Sequence, residues 1–437
     1  MDVLLYTRPR SRRLVYIARY IFEQLLMTSV HFTSNQDDFR NYQGAKLNYS
    51  NDELEGHCLH LQPHTLLFEQ GVKVQNIKTG ISKECPMIFP LFFDNQEKVH
   101  PKKLAFDPFA AAFYLLTRYE EYLPHTKDEH GRYTANQSWA YQNDCLDRPM
   151  IWEWAQQLKH ALQYYFPAWQ PAAPAYRFLP TYDIDIPWAF RYRSWRGWGR
   201  TALELLGGKW PLLQAKWKVW THKEEDPFFV FSQLKSWHHT LGVRPRVFWL
   251  LGDKRKHDIN PPHHISAFRQ LIKATSNWAD LGIHPSYASF GQTKQIEKEK
   301  QRLEAIIETD VTHSRQHFLR MNLPQTYRQL LAAGIRNDYS MGYANEIGYR
   351  AGTSEPFFWY DLEQEAITEL CVHPFVAMDV TLKNYLCLSP QQAQEKLKQL
   401  QNYCQQEQLQ FCTLWHNSSF SELHGWSGWE EVYQTML

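Results

Sequence analysis

Long apolar runs are missing from this sequence. No stretch approaches the ~18 apolar residues of a membrane span. The first short run, Val3-Leu4-Leu5-Tyr6, precedes Arg8, Arg10, Arg12 and Arg13, whereas a secretory signal needs its charge first and a longer apolar run after it. Cysteine is sparse. The seven residues are scattered, odd in number and without zinc-finger spacing, which excludes a disulfide framework and points to a reducing, cytoplasmic setting. Charge of one sign is also lacking: 47 Lys and Arg face 46 Asp and Glu, so nothing predicts a nucleic-acid partner. A Gly-rich phosphate loop and a Gly-x-Ser-x-Gly elbow are both absent, which removes support for a serine-hydrolase mechanism. There are no internal repeats or low-complexity tracts, and nothing marks an obligate protein partner.

What remains is a chain of 437 residues, 43% hydrophobic, able to bury a large core in two or more units. Pro167 to Pro174 is the expected boundary. Before it, residues 1–170 read as a smaller α/β domain. Val3–Tyr6, Cys58–Leu61 and Met87–Phe93 are its expected strands, and Arg13–Leu26 and Phe106–Tyr122 its helices. After it, residues 176–437 have roughly the size of a β/α barrel.

Thr181-Tyr182-Asp183-Ile184-Asp185-Ile186-Pro187 is the most informative stretch. Alternate side chains of a strand share a face, so the two carboxylates point the same way. Like charges that close need a cation or a shared proton between them, which makes the pair a candidate metal ligand and general base. The bland alternative is a strand end capping a turn. Downstream, strand patterns at Arg246–Leu251 and Ala279–His284 alternate with helical ones at Pro227–Leu241, Lys294–Ile307 and Pro324–Ala333. Leu409–Asn417 is the last strand, and it too delivers a His. Such alternation predicts parallel β/α units, whose chemistry sits at C-terminal strand ends, where Asp183, Asp185, His284 and His416 fall. His373 and Asp379 lie near another predicted strand, Leu370–Met378, with a satisfied core role the better expectation for His373.

Taken in order, these motifs resemble the polysaccharide deacetylase family, carbohydrate esterase family four, over residues 176–437. The resemblance implies an irregular or seven-stranded (β/α) barrel and a divalent metal, Zn first and Co or Ni next. It implies Asp183 as base, Asp185 and His284 as metal ligands, Arg315 as the brace of the base and His416 as the acid. Ile184 separates two aspartates that are adjacent in the family. The family's second metal-binding His falls at Ala288 here, and His317 is the candidate replacement. Arg350 is a rival brace and, with Trp188 and Trp415, a candidate substrate contact; the bland alternative for Arg350 is a salt bridge at a loop. The implied reaction is removal of acetyl groups from an N-acetylated, or secondarily O-acetylated, sugar or glycan precursor. A non-catalytic carbohydrate-binding or scaffold protein on a degenerate barrel is the alternative.

One insertion stands apart. Residues 191–223 carry eight Lys and Arg against Glu204 alone, with Trp195, Trp198, Trp210, Trp217 and Trp220. Basic, Trp-bearing stretches suit an interfacial segment, so this is the candidate for peripheral contact with the inner membrane face. The alternative is a helix pair whose Trp residues pack on the barrel.

Overall fold

The structure is a computed structural model that describes residues 2–82, 85–91, 104–172, 174–192 and 210–437. Its N-terminal part is built on four parallel strands, β1 (Val3–Thr7), β2 (Val30–Thr33), β3 (Ala45–Tyr49) and β4 (Leu59–Leu61), in the order β2-β1-β3-β4. All five residues of β1 are buried, as a central parallel strand requires. The helix after β1, Arg12–Arg19, starts where the Ser11 hydroxyl accepts from Leu14 N and continues as a wider turn, Tyr20–Leu25. The helix expected over Phe106–Tyr122 is divided. Pro108–Leu116 is helical and buried all round, Arg118 turns left-handed (φ 53°), and Tyr119–Tyr122 forms a 3₁₀ turn. An antiparallel hairpin, β5 (Thr79–Ser82) and β6 (Cys85–Ile88), covers part of the predicted Met87–Phe93 strand, and residues 92 and 93 lie outside the described residues.

The C-terminal part carries nine strands: β7 (Arg177–Ile184), β8 (Arg246–Trp249), β9 (Asp280–Ile283), β10 (His313–Ser314), β11 (Asn337–Asp338), β12 (Phe357–Asp361), β13 (Ala366–Val372), β14 (Ala377–Met378) and β15 (Gln410–His416). They form one sheet in the order β12-β13-β11-β10-β9-β8-β7-β15-β14. All pairings are parallel except β12 with β13. From β7 to β13 the parallel strands follow chain order, and β15 and β14 return on the other side of β7. This is the stave order of a barrel, but no described pairing joins β13 to β14. Among the described residues the sheet is therefore an open nine-stranded one in barrel-like order, with no pairing that closes it. The physical reason lies in His373–Val376, where Pro374 has no N–H to give a ladder. Phe375 N bonds instead to Met341 O (3.2 Å) and Val376 N to Cys412 O (3.0 Å).

Helices Phe231–Leu241, Ser266–Thr275, Thr293–Ile307, Gln325–Ala332 and Pro390–Gln406 lie between the strands. In Thr293–Ile307 the stripe Ile296, Leu303 and Ile306 is buried, with Glu299 beside it. A single apolar cluster runs through both parts of the chain, from Val3 and Phe109 to Trp249 and Tyr433. At the junction Arg350 is paired with Glu121 (2.8 and 2.6 Å), and Arg118 with the same carboxylate (2.8 Å).

Of the basic insertion, residues 193–209, with Trp195, Trp198 and Glu204, lie outside the described residues. Trp210–Trp220 is a helix with Val219 buried and Trp217 exposed. No helix of the described residues is long and apolar enough to cross a membrane.

Candidate functional site

Four strands, β7, β9, β10 and β15, and the turns after them bring the site together. Asp183 is the penultimate residue of β7 and pairs in register with His416, the last residue of β15. Side chains alternate across a strand, so these two share one face while their register neighbours Tyr182 and Trp415 take the other. Asp183 Oδ1 accepts from Arg315 Nη1 at 3.1 Å, with both side chains buried. His284, just after β9, lies with Nε2 3.7 Å from Asp183 Oδ2 and 3.3 Å from Asp185 Oδ1. The i, i+2 aspartates thus face one imidazole.

His317 joins them, with Nε2 3.5 Å from Asp185 Oδ1. Asp185, His284 and His317 are the one group of three among the described residues whose ligand atoms all lie within 4.8 Å of one another and could hold a metal ion. Neither imidazole contact to Asp185 Oδ1 has hydrogen-bond geometry, and that oxygen is buried without a partner. The imidazoles are oriented from behind. His284 Nδ1 lies 2.6 Å from the Arg315 carbonyl, which can only accept, so Nδ1 carries the proton and Nε2 presents its lone pair. His317 Nδ1 meets Asp258 Oδ1 at 3.0 Å, with the same consequence for its Nε2. The residues present fit a divalent ion: two neutral imidazole nitrogens and a carboxylate oxygen converge, and that oxygen has nothing else to bind.

The electrostatics agree with that fit. Burial pushes the Asp185 carboxyl up, but His317 and His284 outweigh it and hold it well below the usual range. Burial opposes charge on His317, yet Asp185 and Asp258 push it up to about 9, so below that pH a proton competes with an ion for Nε2. The pocket is built to accept positive charge. On the same sheet face, His416 Nδ1 meets Asp379 Oδ1 at 2.8 Å, and His416 N donates to Asp379 Oδ2 at 2.7 Å. Burial again opposes the charge, but Asp379 first, then Asp185 and Asp183, push His416 up to about 10.

Two loop-organising carboxylates escaped the sequence reading. Asp258, after β8, accepts from Tyr287 N (2.7 Å) and Ala288 N (3.2 Å) as well as orienting His317. Glu299 accepts from Ser286 N (2.8 Å) and Ser286 Oγ (2.6 Å). Asp258 sits in a polar loop with no periodicity to mark it. Glu299 had a signal: it is an acidic residue on the apolar stripe of its helix.

Three expected substrate contacts lie elsewhere. Arg350 is turned to Glu121 and the Gly342 carbonyl, and Asp183's partner is Arg315. Trp415 is buried against Phe420, Trp429 and Tyr433, on the strand face opposite His416. Trp188 is buried beside Phe229 and Phe268. His373 stacks on Tyr339 at 4.3 Å and bonds to Asn337, a core role.

Residues 3–167 match a family of unknown function, DUF7033. No curated protein matches the chain. Among solved structures, a Mycobacterium smegmatis protein assigned as a polysaccharide deacetylase is similar at 13% identity and TM-score 0.37, covering 60% of this chain and 87% of that one. The Xyl-CE4 domain of a multidomain xylanase from the hindgut metagenome of Trinervitermes trinervoides is similar at 9% identity and TM-score 0.29, covering 60% and 81%. A 4-alpha-glucanotransferase of Thermococcus litoralis gives 14% identity and TM-score 0.35, covering 60% of this chain and 36% of that one.

Proposed function

We propose that this protein is a metal-dependent hydrolase that removes acetyl groups from an N-acetylated sugar or glycan precursor, with O-acetylated sugars as second choice. The observation that carries the reading is the convergence of Asp185, His284 and His317 beside two further pairs, Asp183–Arg315 and His416–Asp379. Asp185 Oδ1 and the two Nε2 atoms would hold the ion, Zn²⁺ first and Co²⁺ or Ni²⁺ next. When bound, such an ion supplies a Lewis acid that polarises an acetyl carbonyl and acidifies water. Asp183 takes the proton of the attacking water on Oδ2, the oxygen that Arg315 leaves free. Arg315 fixes the carboxylate through Oδ1, and its Nε is itself tied to the Tyr339 carbonyl at 2.8 Å. His416, charged through Asp379, gives its proton to the departing nitrogen or oxygen.

A binding-only protein has no use for a braced base and a charged acid beside a cation site. The test is metal content by inductively coupled plasma mass spectrometry, on protein purified without chelators or a His tag, followed by acetate release from acetylated sugars. About one ion per chain, lost in Asp185→Ala and His284→Ala, is expected. Protein that stays metal-free after soaking with Zn²⁺, Co²⁺ and Ni²⁺ would overturn the reading.

A further inference from the structure

The three candidate ligands are not held alike. Asp185 and His284 directly follow β7 and β9, whose ladders fix their backbones, whereas His317 sits in an irregular turn after the two-residue β10. The next two residues, Phe318 (φ 62°) and Leu319 (φ 52°), are consecutive non-glycine residues in left-handed backbone. That conformation persists only where the surroundings impose it.

The hold on the Phe318 carbonyl comes from the N-terminal part of the chain. Residues 127–133 form a tight turn closed by the Lys127–Tyr133 bridge, and Asp128 Oδ1 accepts from His130 N and Arg132 N at 2.9 Å each. The same carboxylate fixes Arg132 Nε at 2.7 Å, and Arg132 Nη2 meets the Tyr385 hydroxyl at 3.3 Å. Pinned on both sides and buried, Arg132 donates through Nη1 to the Phe318 carbonyl at 2.9 Å. In the opposite sense Arg320 Nε donates to the His130 carbonyl at 2.8 Å, and Lys127 Nζ meets Asn322 Oδ1 at 2.9 Å. The segment after His317 is thus tied to the N-terminal turn at positions 318, 320 and 322.

We propose that the N-terminal region builds part of the metal centre, with Arg132 as the positioning residue that sets the His317 turn and so the third ligand. The inference rests on the metal reading above. A guanidinium is a planar fork, so pinning its other nitrogens fixes the direction in which Nη1 donates. Bonds from imidazole to metal are short and directional. A turn free to relax its left-handed residues would present Nε2 to an ion for a fraction of the time, and affinity falls by that fraction. Asp258 sets the rotation of the His317 ring; Arg132 sets where the backbone carries it. The part that matches a family of unknown function then acts on the chemistry without contributing a ligand.

The test pairs Zn²⁺ affinity, by competition with a chelating dye, with amide hydrogen exchange of the metal-free full chain. Arg132→Met should raise the dissociation constant at least ~10-fold. It should also speed exchange at residues 317–320 at least ~10-fold while β7 is unchanged. Asp128→Asn removes the ion pair with Arg132 Nε but keeps an acceptor for the turn, and it should move both readouts the same way if Arg132→Met folds poorly. Arg350→Met is the control for general loosening, because it weakens another contact between the two parts, and it should leave the dissociation constant within ~2-fold. An affinity that holds in both Arg132→Met and Asp128→Asn overturns the proposal. So does an equal loss in Arg350→Met, or exchange at 317–320 that does not change. A wild-type chain that takes up no metal would sink the metal reading alone, since faster exchange at 317–320 in the variants would still show the grip of Arg132.

Discussion

Two largely parallel sheets lie in this chain, and only one of them ends in the candidate site. The N-terminal sheet has order β2-β1-β3-β4, so consecutive strands leave β1 on both sides, an arrangement whose strand ends often hold ligands. Beyond those ends is a cavity of about 280 Å³ lined by Arg8, Pro9, Asn51, Pro63, Thr65, Phe68 and Glu69. The buried carboxylate nearby, Asp107, is fully engaged. It accepts from Phe109 N, Ala110 N, His64 N and the Tyr49 hydroxyl, at 2.5–3.1 Å. In the C-terminal sheet Asp185 has a buried oxygen with no hydrogen bond and two imidazoles aimed at it. Burial dominates at Asp107 and pushes it up to about 6, whereas the imidazoles dominate at Asp185 and pull it down. A parallel sheet supplies an address for a site. Donors left unspent on the fold make the site.

The comparison breaks first at Asp183. Asp183→Asn keeps the hydrogen bond from Arg315 but cannot take a proton, so acetate release should fall about 10²–10⁴-fold with metal content unchanged. A variant as active as wild type would remove Asp183 from the chemistry. Next is the seam between the sheets, where charge serves structure. Arg350→Met leaves the buried Glu121 with Arg118 alone and should cost about 3 kcal/mol in denaturant unfolding. Burial favours the neutral Glu121, but Arg350 and Arg118 pull its carboxyl down to about 2. Because that pKa is depressed, the stabilisation is present above the ordinary carboxylate value and is lost as pH falls toward 2. Arg350→Met should therefore flatten the acid limb of the stability profile.

Much of the C-terminal sheet was legible in the sequence because its signals are local. β7, β9 and β15 are buried strand patterns with an Asp or His at or just past their ends, and period-two alternation predicts a shared face for Asp183 and Asp185. The failures follow from what local pattern omits. Trp415 is next to His416 in sequence, and for that reason alternation turns it into the core. For Arg350 the salt-bridge alternative is the one found, but its partner Glu121 lies 229 positions away, beyond any local signal. The gap in the sheet falls at Pro374, between the seven-residue β13 and the two-residue β14, and β14 is too short for a periodic signal. His317 follows β10 in a turn with left-handed residues, not on a continuing strand, so its approach to His284 comes from tertiary packing.

Asp258 separates orienting a ligand from supplying one. Asp258→Asn retains an acceptor for His317 Nδ1 and loses the charge. Metal affinity should drop about 10–100-fold, the usual cost of removing a carboxylate behind a ligating imidazole. An unchanged dissociation constant in competition with a chelating dye would show that backbone contacts alone place His317. Asp379 does the parallel service for His416. The imidazolium is present below about 10 and is lost as pH rises through that value. Asp379→Asn should bring the pKa back toward roughly 6.5, leaving a few per cent charged at pH 8 and about a 30-fold loss of rate there. The loss should shrink as pH falls below 6.5, and an alkaline limb that does not move would exclude His416 as the acid.

The smallest effect is expected in the sheet without unspent donors. Arg8 is exposed at the mouth of the N-terminal cavity, distant in sequence from every residue of the candidate centre. Arg8→Ala removes one surface charge and no buried contact, so stability should change by less than about 0.5 kcal/mol. Metal content and acetate release should stay at wild-type values. A clear loss of either would mean that the two sheets are coupled through the shared core. The contrast between an address and a site would then have to be drawn for the whole molecule and no longer between its halves.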